Sequence, residues 1–131
     1  MSWRYVDIFE VYSIHQLIVK RAGAGAKAVV RDFTLLHSAV ERPKATYEGR
    51  DLYPTLFLKA AALLQSLCLN YAFTDGNKRT AWATTHLFLW KNGKKLKAKT
   101  VEAVEFMVRV DNEKPIIEEI AGWLERHTEK K

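Results

Sequence analysis

The chain has 131 residues, a net charge of +6, and 48% hydrophobic and 27% charged residues, which predicts one soluble globular domain over residues 1–131. Its single cysteine, Cys68, excludes an intramolecular disulfide and favours a reducing compartment. The longest apolar run, Leu56 to Leu69, contains Lys59 and falls short of the roughly 20 residues that cross a bilayer. Because Met1 to Glu10 is charged and mixed, we expect no signal peptide and no membrane association, and hence a cytoplasmic protein.

The N-terminal third predicts two amphipathic helices. Apolar residues at helical spacing indicate a first helix over Asp7 to Arg21, which Gly23-Ala24-Gly25 ends. Asp32 is a suitable N-cap for a second helix, and Pro43 closes it. The stretch between Pro43 and Pro54 predicts a short β-hairpin, although an ordinary loop between helices fits it equally well.

The middle of the chain predicts a central buried helix. Pro54 suits its first turn, and Leu56 to Leu69 is apolar around most of the helical circumference. A fourth helix is predicted from about Lys78 to Lys91, ending at Asn92-Gly93.

The C-terminal part predicts two more helices. Thr100 is the expected N-cap of the fifth helix, which Asp111-Asn112 breaks. Pro115 then begins the sixth helix, and the charged tail from His127 is expected to fray. The predicted fold is therefore all-α, with six helices around a central buried helix and one hairpin as its β structure.

The stretch Asn70 to Thr80 carries the candidate chemistry. A loop that leads into a helix leaves free backbone N–H groups and a partial positive charge at the helix N-terminus. Lys78 and Arg79 lie in that first turn, where cations oppose the helix dipole, so an anion is expected there. We therefore predict a phosphate site.

The remaining polar residues of the stretch each have two interpretations. Asp75 suits a Mg²⁺ ligand and also an N-cap of the fourth helix, and both roles are compatible. Asn77 either donates its amide to a phosphate or serves as a left-handed turn residue. Gly76 either lets the backbone approach an anion or simply permits a turn. Phe73 is interpreted as a core anchor that fixes the loop.

This stretch resembles the signature of the Fic/Doc (Fido) superfamily, and more closely its Doc, or "death on curing", toxin branch. The Fic pattern is H-x-F-x-[D/E]-G-N-G-R-x-x-R, and Doc proteins carry Lys in place of the third small residue. The residues that match the Doc form are Phe73, Asp75, Gly76, Asn77, Lys78, Arg79 and Thr80. The resemblance covers most of residues 8–93, and it implies that the hairpin is the family's flap, which pairs with a target segment.

The resemblance implies a Doc-like toxin of a toxin–antitoxin module, with ATP and Mg²⁺ as cofactors. It would transfer phosphate to a hydroxyl of a host translation protein, elongation factor Tu being the expected target, and would bind a Phd-like antitoxin. Asp75 would hold the metal, and Gly76, Asn77, Lys78 and Arg79 would hold the phosphates. Fic-type AMP transfer is the alternative; Lys78 and Trp82, where Fic enzymes have a small residue and an arginine, favour phosphate transfer.

The chain departs from the family at Tyr71, which stands where the family has its catalytic histidine. A histidine with a pKa near ~6.5 accepts a proton at neutral pH, whereas a tyrosine near ~10 stays protonated. Tyr71 is either a natural change that impairs activity or a deliberate inactivating substitution. A catalytically silent module that binds nucleotide and antitoxin is the corresponding alternative.

A basic tract follows the fourth helix. Residues 76–99 carry seven basic and no acidic side chains, so the rest of the chain has a net charge of −1. Such asymmetry favours an acidic partner. However, Lys91 to Lys99 lacks the interleaved aromatic residues of a base-stacking surface, so we interpret it as a solvated loop rather than a nucleic-acid site.

Overall fold

A computed structural model of the protein describes residues 2–23, 25 and 27–131. Across these residues the chain forms six α-helices and four short β-strands, which confirms the predicted mostly helical fold. The helices are α1 (Ile8–Ala22), α2 (Phe33–Glu41), α3 (Leu56–Leu69), α4 (Asn77–Lys91), α5 (Thr100–Glu113) and α6 (Ile117–Arg126). The strands are β1 (Thr46–Tyr47), β2 (Arg50–Asp51), β3 (Lys94–Leu96) and β4 (Thr128–Lys130).

Local side-chain chemistry explains where the first helices begin. Asp7 caps α1 in a capping box with Glu10, in which each side chain accepts a hydrogen bond from the other residue's backbone N–H. Asp32 caps α2, as predicted, by accepting from two backbone N–H groups of its first turn. Of the segment predicted to end α1, Gly23 is the C-cap, and Ala24 lies outside the described residues.

Helix α3 is the centre of the core, as predicted. It contacts α2, α4, α5 and α6, and its residues from Ala60 to Leu64 are fully buried. Cys68 is buried on the same helix, and burial raises the pKa of its thiol to about 11. The described helices include none long and apolar enough to cross a membrane.

Several predicted helix ends were wrong by one to three residues. Pro54 precedes α3, which is capped by Thr55, and Pro115 likewise lies outside α6. Thr100 is the first residue of α5 rather than its cap. The helix continues through Asp111 to Glu113 because the low helix propensity of Asp and Asn costs under about 1 kcal/mol each, which the burial of nearby core residues outweighs.

The predicted hairpin is confirmed. β1 and β2 pair antiparallel, with Thr46 opposite Asp51, and the turn residues Glu48 and Gly49 both have positive φ. Two positive-φ residues match the twist of a two-residue hairpin. The fully buried Lys59 of α3 fastens the hairpin, because its Nζ lies 3.2 Å from Oδ2 of Asp51.

The C-terminal tail does not fray, so that prediction was wrong, as was the prediction of a single hairpin. β4 pairs antiparallel with β3, with Leu96 opposite Thr128 and Lys94 opposite Lys130. Two further contacts anchor the tail: the N–H of Lys97 donates to the carbonyl of His127 at 2.6 Å, and the His127 ring stacks on Trp123 with ring centroids 3.8 Å apart. These partners are about 30 residues apart in sequence, so a local charge pattern does not reveal them.

Candidate functional site

The loop between α3 and α4 is held by an extended segment that precedes α2. Val30 and Phe73 form an isolated antiparallel bridge. The backbone N–H of Thr74 donates to the carbonyl of Val29 at 3.0 Å, and that of Arg31 donates to the carbonyl of Ala72 at 2.7 Å. The loop is therefore fixed on both sides of Phe73.

Phe73 and Asn77 close the loop on itself. The Asn77 side chain donates from Nδ2 to the carbonyl of Phe73 at 2.9 Å, and its Oδ1 accepts from the Phe73 N–H at 3.2 Å. Phe73 is 2% exposed, which confirms its interpretation as a core anchor. Asn77 is the first residue of α4, whereas the left-handed residue is Gly76, so the interpretation of Asn77 as a left-handed turn residue was wrong.

His15 of α1 packs against the loop between α3 and α4. Its fully buried ring stacks on Phe73, and its Nε2 lies 2.7 Å from the carbonyl oxygen of Asp75. Burial lowers the pKa of His15, against the opposing effect of Asp75, so the ring is neutral at pH 7 and donates from Nε2. The ring therefore positions the loop backbone rather than replacing the missing histidine of the motif.

Helix α4 begins without a side-chain cap. Gly76 occupies the N-cap position with φ +82°, a left-handed conformation that favours glycine. The first intrahelical bond runs from the N–H of Thr80 to the carbonyl of Gly76. The N–H groups of Asn77, Lys78 and Arg79 therefore have no acceptor within the helix, which is the arrangement that binds anions.

Asp75 does not cap α4, so that interpretation was wrong. Its Oδ2 instead accepts from the backbone N–H of Lys27 at 2.9 Å. No group of three or more His, Cys, Asp or Glu side chains suited to a metal occurs in the described ranges. A single carboxylate beside the predicted phosphate site still fits Mg²⁺, which commonly takes one or two carboxylates together with phosphates and water.

The two cations of the motif differ in their surroundings. Lys78 is half exposed, and its Nζ lies 3.6 Å from Oδ2 of Asp111 in α5. Arg79 is exposed, and no ion pair is recorded for it among the described residues. Both side chains are exposed at the α4 N-terminus, and Lys78 is paired with Asp111.

Tyr71 is linked to Lys78 through Asp111 and has an unusual backbone conformation. Its φ is +51°, and its carbonyl accepts from Nε of Arg31 at 2.8 Å. Its side chain is exposed, and the hydroxyl donates to Oδ1 of Asp111 at 2.7 Å. That hydrogen bond raises the pKa of Tyr71, and together with Lys78 it lowers the pKa of Asp111, so at neutral pH the phenol is protonated and the carboxylate ionised.

Asp111 is the site residue that sequence reasoning missed. It was interpreted as part of a helix break, and it lies 40 residues from Tyr71 in the chain. Nothing in the local pattern distinguishes it from an exposed acid of α5. Its carboxylate joins Tyr71 to Lys78, while Asp75, Gly76, Asn77 and Arg79 lie together on the loop and the first turn of α4.

The helical fold and the uncapped α4 N-terminus fit a protein of the Fic/Doc family. A sequence model described as "Fic/DOC family" matches residues 5–89, more than half of the chain, and the chain belongs to that family. It is also 58% identical, over 74 residues, to the curated protein "Toxin Doc" of Mycolicibacterium smegmatis (strain ATCC 700084 / mc(2)155). This match covers 56% of the chain and 57% of the relative, so the chain spans just over half the length of that protein.

Proposed function

We propose that the protein is a Doc-like toxin of a toxin–antitoxin module that transfers phosphate from ATP to a hydroxyl of a host translation protein. The observation that carries the proposal is the α4 N-terminus, where three uncapped backbone N–H groups lie beside Lys78 and Arg79. Membership of the Fic/Doc family and the similarity to a protein named "Toxin Doc" support the toxin assignment. The expected site of action is the cytoplasm, and elongation factor Tu is the expected target.

In the proposed reaction the protein mainly positions the reactants and neutralises the charge on the phosphates, and it forms no covalent bond with the host target. The N–H groups of the first turn and the guanidinium of Arg79 would hold the phosphates. Lys78 would move away from Asp111 and bind the phosphoryl group that is transferred. Mg²⁺ bound by Asp75 would neutralise phosphate charge. Gly76 provides the left-handed conformation of the N-cap, and a Cβ there would face Val19 and His15 of α1.

The choice of phosphate transfer over AMP transfer rests on two residues. Lys78 places a cation where Fic enzymes carry a small residue, and Trp82 replaces their second arginine. Trp82 is half-buried and lies edge-on to Trp123, with ring centroids 5.9 Å apart, so it packs against α6 and does not provide a phosphate ligand.

Tyr71 makes this copy impaired in the proposed transfer to a host protein. Loss of a positioned general base typically lowers a rate by ~10²–10⁴. His15 is buried beneath the loop and donates to Asp75, so it does not supply that base. A catalytically silent module that binds ATP and a Phd-like antitoxin is the second candidate, and Tyr71 is the observation that favours it.

Growth on expression tests the first candidate against the second. Cells that express Tyr71→His should stop growing, whereas cells that express the unchanged chain should continue. Tyr71→His combined with Lys78→Ala is the matched control and should be harmless. If Tyr71→His is harmless while ATP with Mg²⁺ raises the melting temperature, the silent module is correct and the toxin assignment fails.

Labelled ATP tests the chemistry. Purified Tyr71→His protein is incubated with elongation factor Tu and with ATP labelled in either the γ or the α phosphate. Label on the target from the γ position alone supports phosphate transfer. Label from the α position overturns it in favour of AMP transfer.

A further inference from the structure

The hydroxyl of Tyr71 and the ammonium of Lys78 share one carboxylate. Oδ1 of Asp111 accepts from the tyrosine hydroxyl at 2.7 Å, and Oδ2 of the same group lies 3.6 Å from Nζ of Lys78. A nucleophile-bearing side chain is thus held beside a cation of the proposed phosphate site. Nothing in the toxin assignment requires this hydroxyl.

We propose that Tyr71 is itself a phosphoryl acceptor, so that the unchanged chain phosphorylates its own Tyr71 hydroxyl with Asp111 as the proton acceptor. The inference rests on the proposed function, because it needs ATP at the α4 N-terminus. The proposed activity belongs to the unchanged chain, which carries Tyr71 in place of the motif histidine.

The geometry favours Tyr71 as the acceptor for two reasons. Its carbonyl accepts a hydrogen bond from Arg31, which holds the residue in the loop before α4. Its side chain is 46% exposed, which leaves room for a bound nucleotide to approach the hydroxyl while the hydroxyl stays on Asp111, and reaction needs a separation of roughly 3–3.5 Å. The residue is therefore held at its carbonyl by Arg31 and at its hydroxyl by Asp111, with its exposed side open to a ligand.

Other tyrosines lack this environment. The hydroxyl of Tyr53 accepts from Nε of Arg42, and Tyr47 lies on strand β1 of the hairpin. Among the described residues, the tyrosine hydroxyl that donates to a carboxylate is that of Tyr71. Self-modification should therefore be confined to this position.

The chemical step balances without a further reactant. The Tyr71 oxygen forms a bond to the γ-phosphorus of ATP, and the bond from that phosphorus to the β–γ bridging oxygen breaks. ADP leaves with the electron pair, and the phenolic proton passes to Asp111. The Tyr71 hydroxyl and Lys78 lower the pKa of Asp111, so the carboxylate is ionised at neutral pH. It takes the proton as the bond to phosphorus forms, because the phenolic oxygen then becomes strongly acidic.

Mass spectrometry of the unchanged chain tests the inference. After incubation with ATP and Mg²⁺, the peptide that contains Tyr71 should gain the mass of one phosphoryl group. Within one molecule the reaction is first order, so its rate constant should not depend on protein concentration. Tyr71→Phe should abolish the gain, and Tyr12→Phe, a change at an exposed tyrosine of α1, should leave it intact.

Asp111→Asn isolates the proton acceptor. The amide retains the size of the side chain but does not take the proton, so labelling should slow by about 10²-fold. Asp111→Glu should restore much of the rate, which a purely structural role would not predict. Melting temperature and ATP affinity, measured on both variants, report whether the fold and the nucleotide site are intact.

The outcomes separate this inference from the proposed function. ATP binding without a phosphoryl group on Tyr71 overturns self-modification and leaves the toxin assignment to the growth test. Label on another residue, or a rate that rises with protein concentration, also overturns it. Failure to bind ATP overturns the proposed function. Addition of AMP to Tyr71 overturns phosphate transfer both to Tyr71 and to the host protein.

Discussion

The ring of His15 stacks on the ring of Phe73, with centroids 3.6 Å apart and planes 10° apart. The same imidazole donates to the carbonyl of Asp75, so one α1 side chain supports two loop residues. A carbon at Cβ of Gly76 would lie 3.6 Å from Cδ2 of His15, in ordinary van der Waals contact. The position of the α4 N-terminus therefore depends on a residue 60 positions away in the chain.

His15→Ala should destabilise the protein and disorganise the proposed phosphate site. It removes a buried ring and leaves a cavity under Phe73, and truncations of this size cost about 2–5 kcal/mol. Urea unfolding measures the loss, and calorimetry with ATP and Mg²⁺ measures the site. His37→Ala, at an exposed position of α2, is the control and should change neither. Full ATP affinity in a folded His15→Ala protein would contradict the supporting role.

The stability of the protein should fall in mild acid because of His15. Its folded pKa is lowered from 6.5 by burial, so between 6.5 and that lower value the unfolded chain binds a proton that the native chain does not. The free energy of unfolding should therefore decrease as the pH falls below about 6.5 and level off below the folded pKa. Urea unfolding at closely spaced pH values measures this slope.

His15→Gln should flatten that slope, because it removes the titrating group. His37→Gln, on the exposed face of α2, should leave it unchanged. An equal slope in the His15→Gln protein would assign the pH dependence to another group.

Lys59 and Asp51 should respond unequally to mutation. The side chain of Lys59 is fully buried, whereas that of Asp51 is 45% exposed. Asp51→Ala leaves a buried ammonium with the carbonyl of Pro43 as its remaining hydrogen-bond partner, and loss of one partner of such a pair costs up to about 3–5 kcal/mol. Lys59→Met leaves a carboxylate that water can solvate, so it should cost under about 1 kcal/mol.

The double variant Lys59→Met/Asp51→Ala should recover most of the stability lost in Asp51→Ala. Urea unfolding of the three proteins gives the comparison, and hydrogen exchange over residues 46–51 reports whether the hairpin stays docked. Equal losses for the two single variants would show that Lys59 is not buried in solution.

Asn77→Asp should weaken the loop. A carboxylate cannot donate to the carbonyl of Phe73, and it adds a negative charge where an anion is expected to bind. Loss of this partly buried hydrogen bond should cost about 1–3 kcal/mol. ATP affinity should also fall, whereas Asn112→Asp on the exposed surface of α5 should alter neither quantity. Unchanged stability in Asn77→Asp would mean that the reciprocal bonds do not hold the loop.

Local chemistry explains which features the sequence predicts. The cap at Asp32 and the hairpin turn at Glu48-Gly49 are decided by residues within a few positions of each other, and both are confirmed. The apolar circumference of α3 likewise predicts its central place. The motif itself predicts a polar loop before α4.

Distant partners explain what the sequence does not predict. β4 pairs with β3, although its charged residues alone are typical of a frayed end. Asp111 meets Tyr71 because α5 continues past the expected break and places its last turn beside the loop. Both features depend on the packing of whole helices, which no local pattern contains.

The backbone at Tyr71 makes a final prediction about the variant used in the growth test. Positive φ is rare for bulky residues but several-fold enriched for histidine, so Tyr71→His should fit the φ of +51°. It loses one exposed hydrogen bond to Asp111, and the free energy of unfolding should change by less than about 1 kcal/mol. Tyr71→Val should lose about 1–3 kcal/mol, because a β-branched residue strains in this conformation. Urea unfolding compares the variants; equal stability of Tyr71→Val and Tyr71→His would mean that residue 71 does not hold a left-handed conformation.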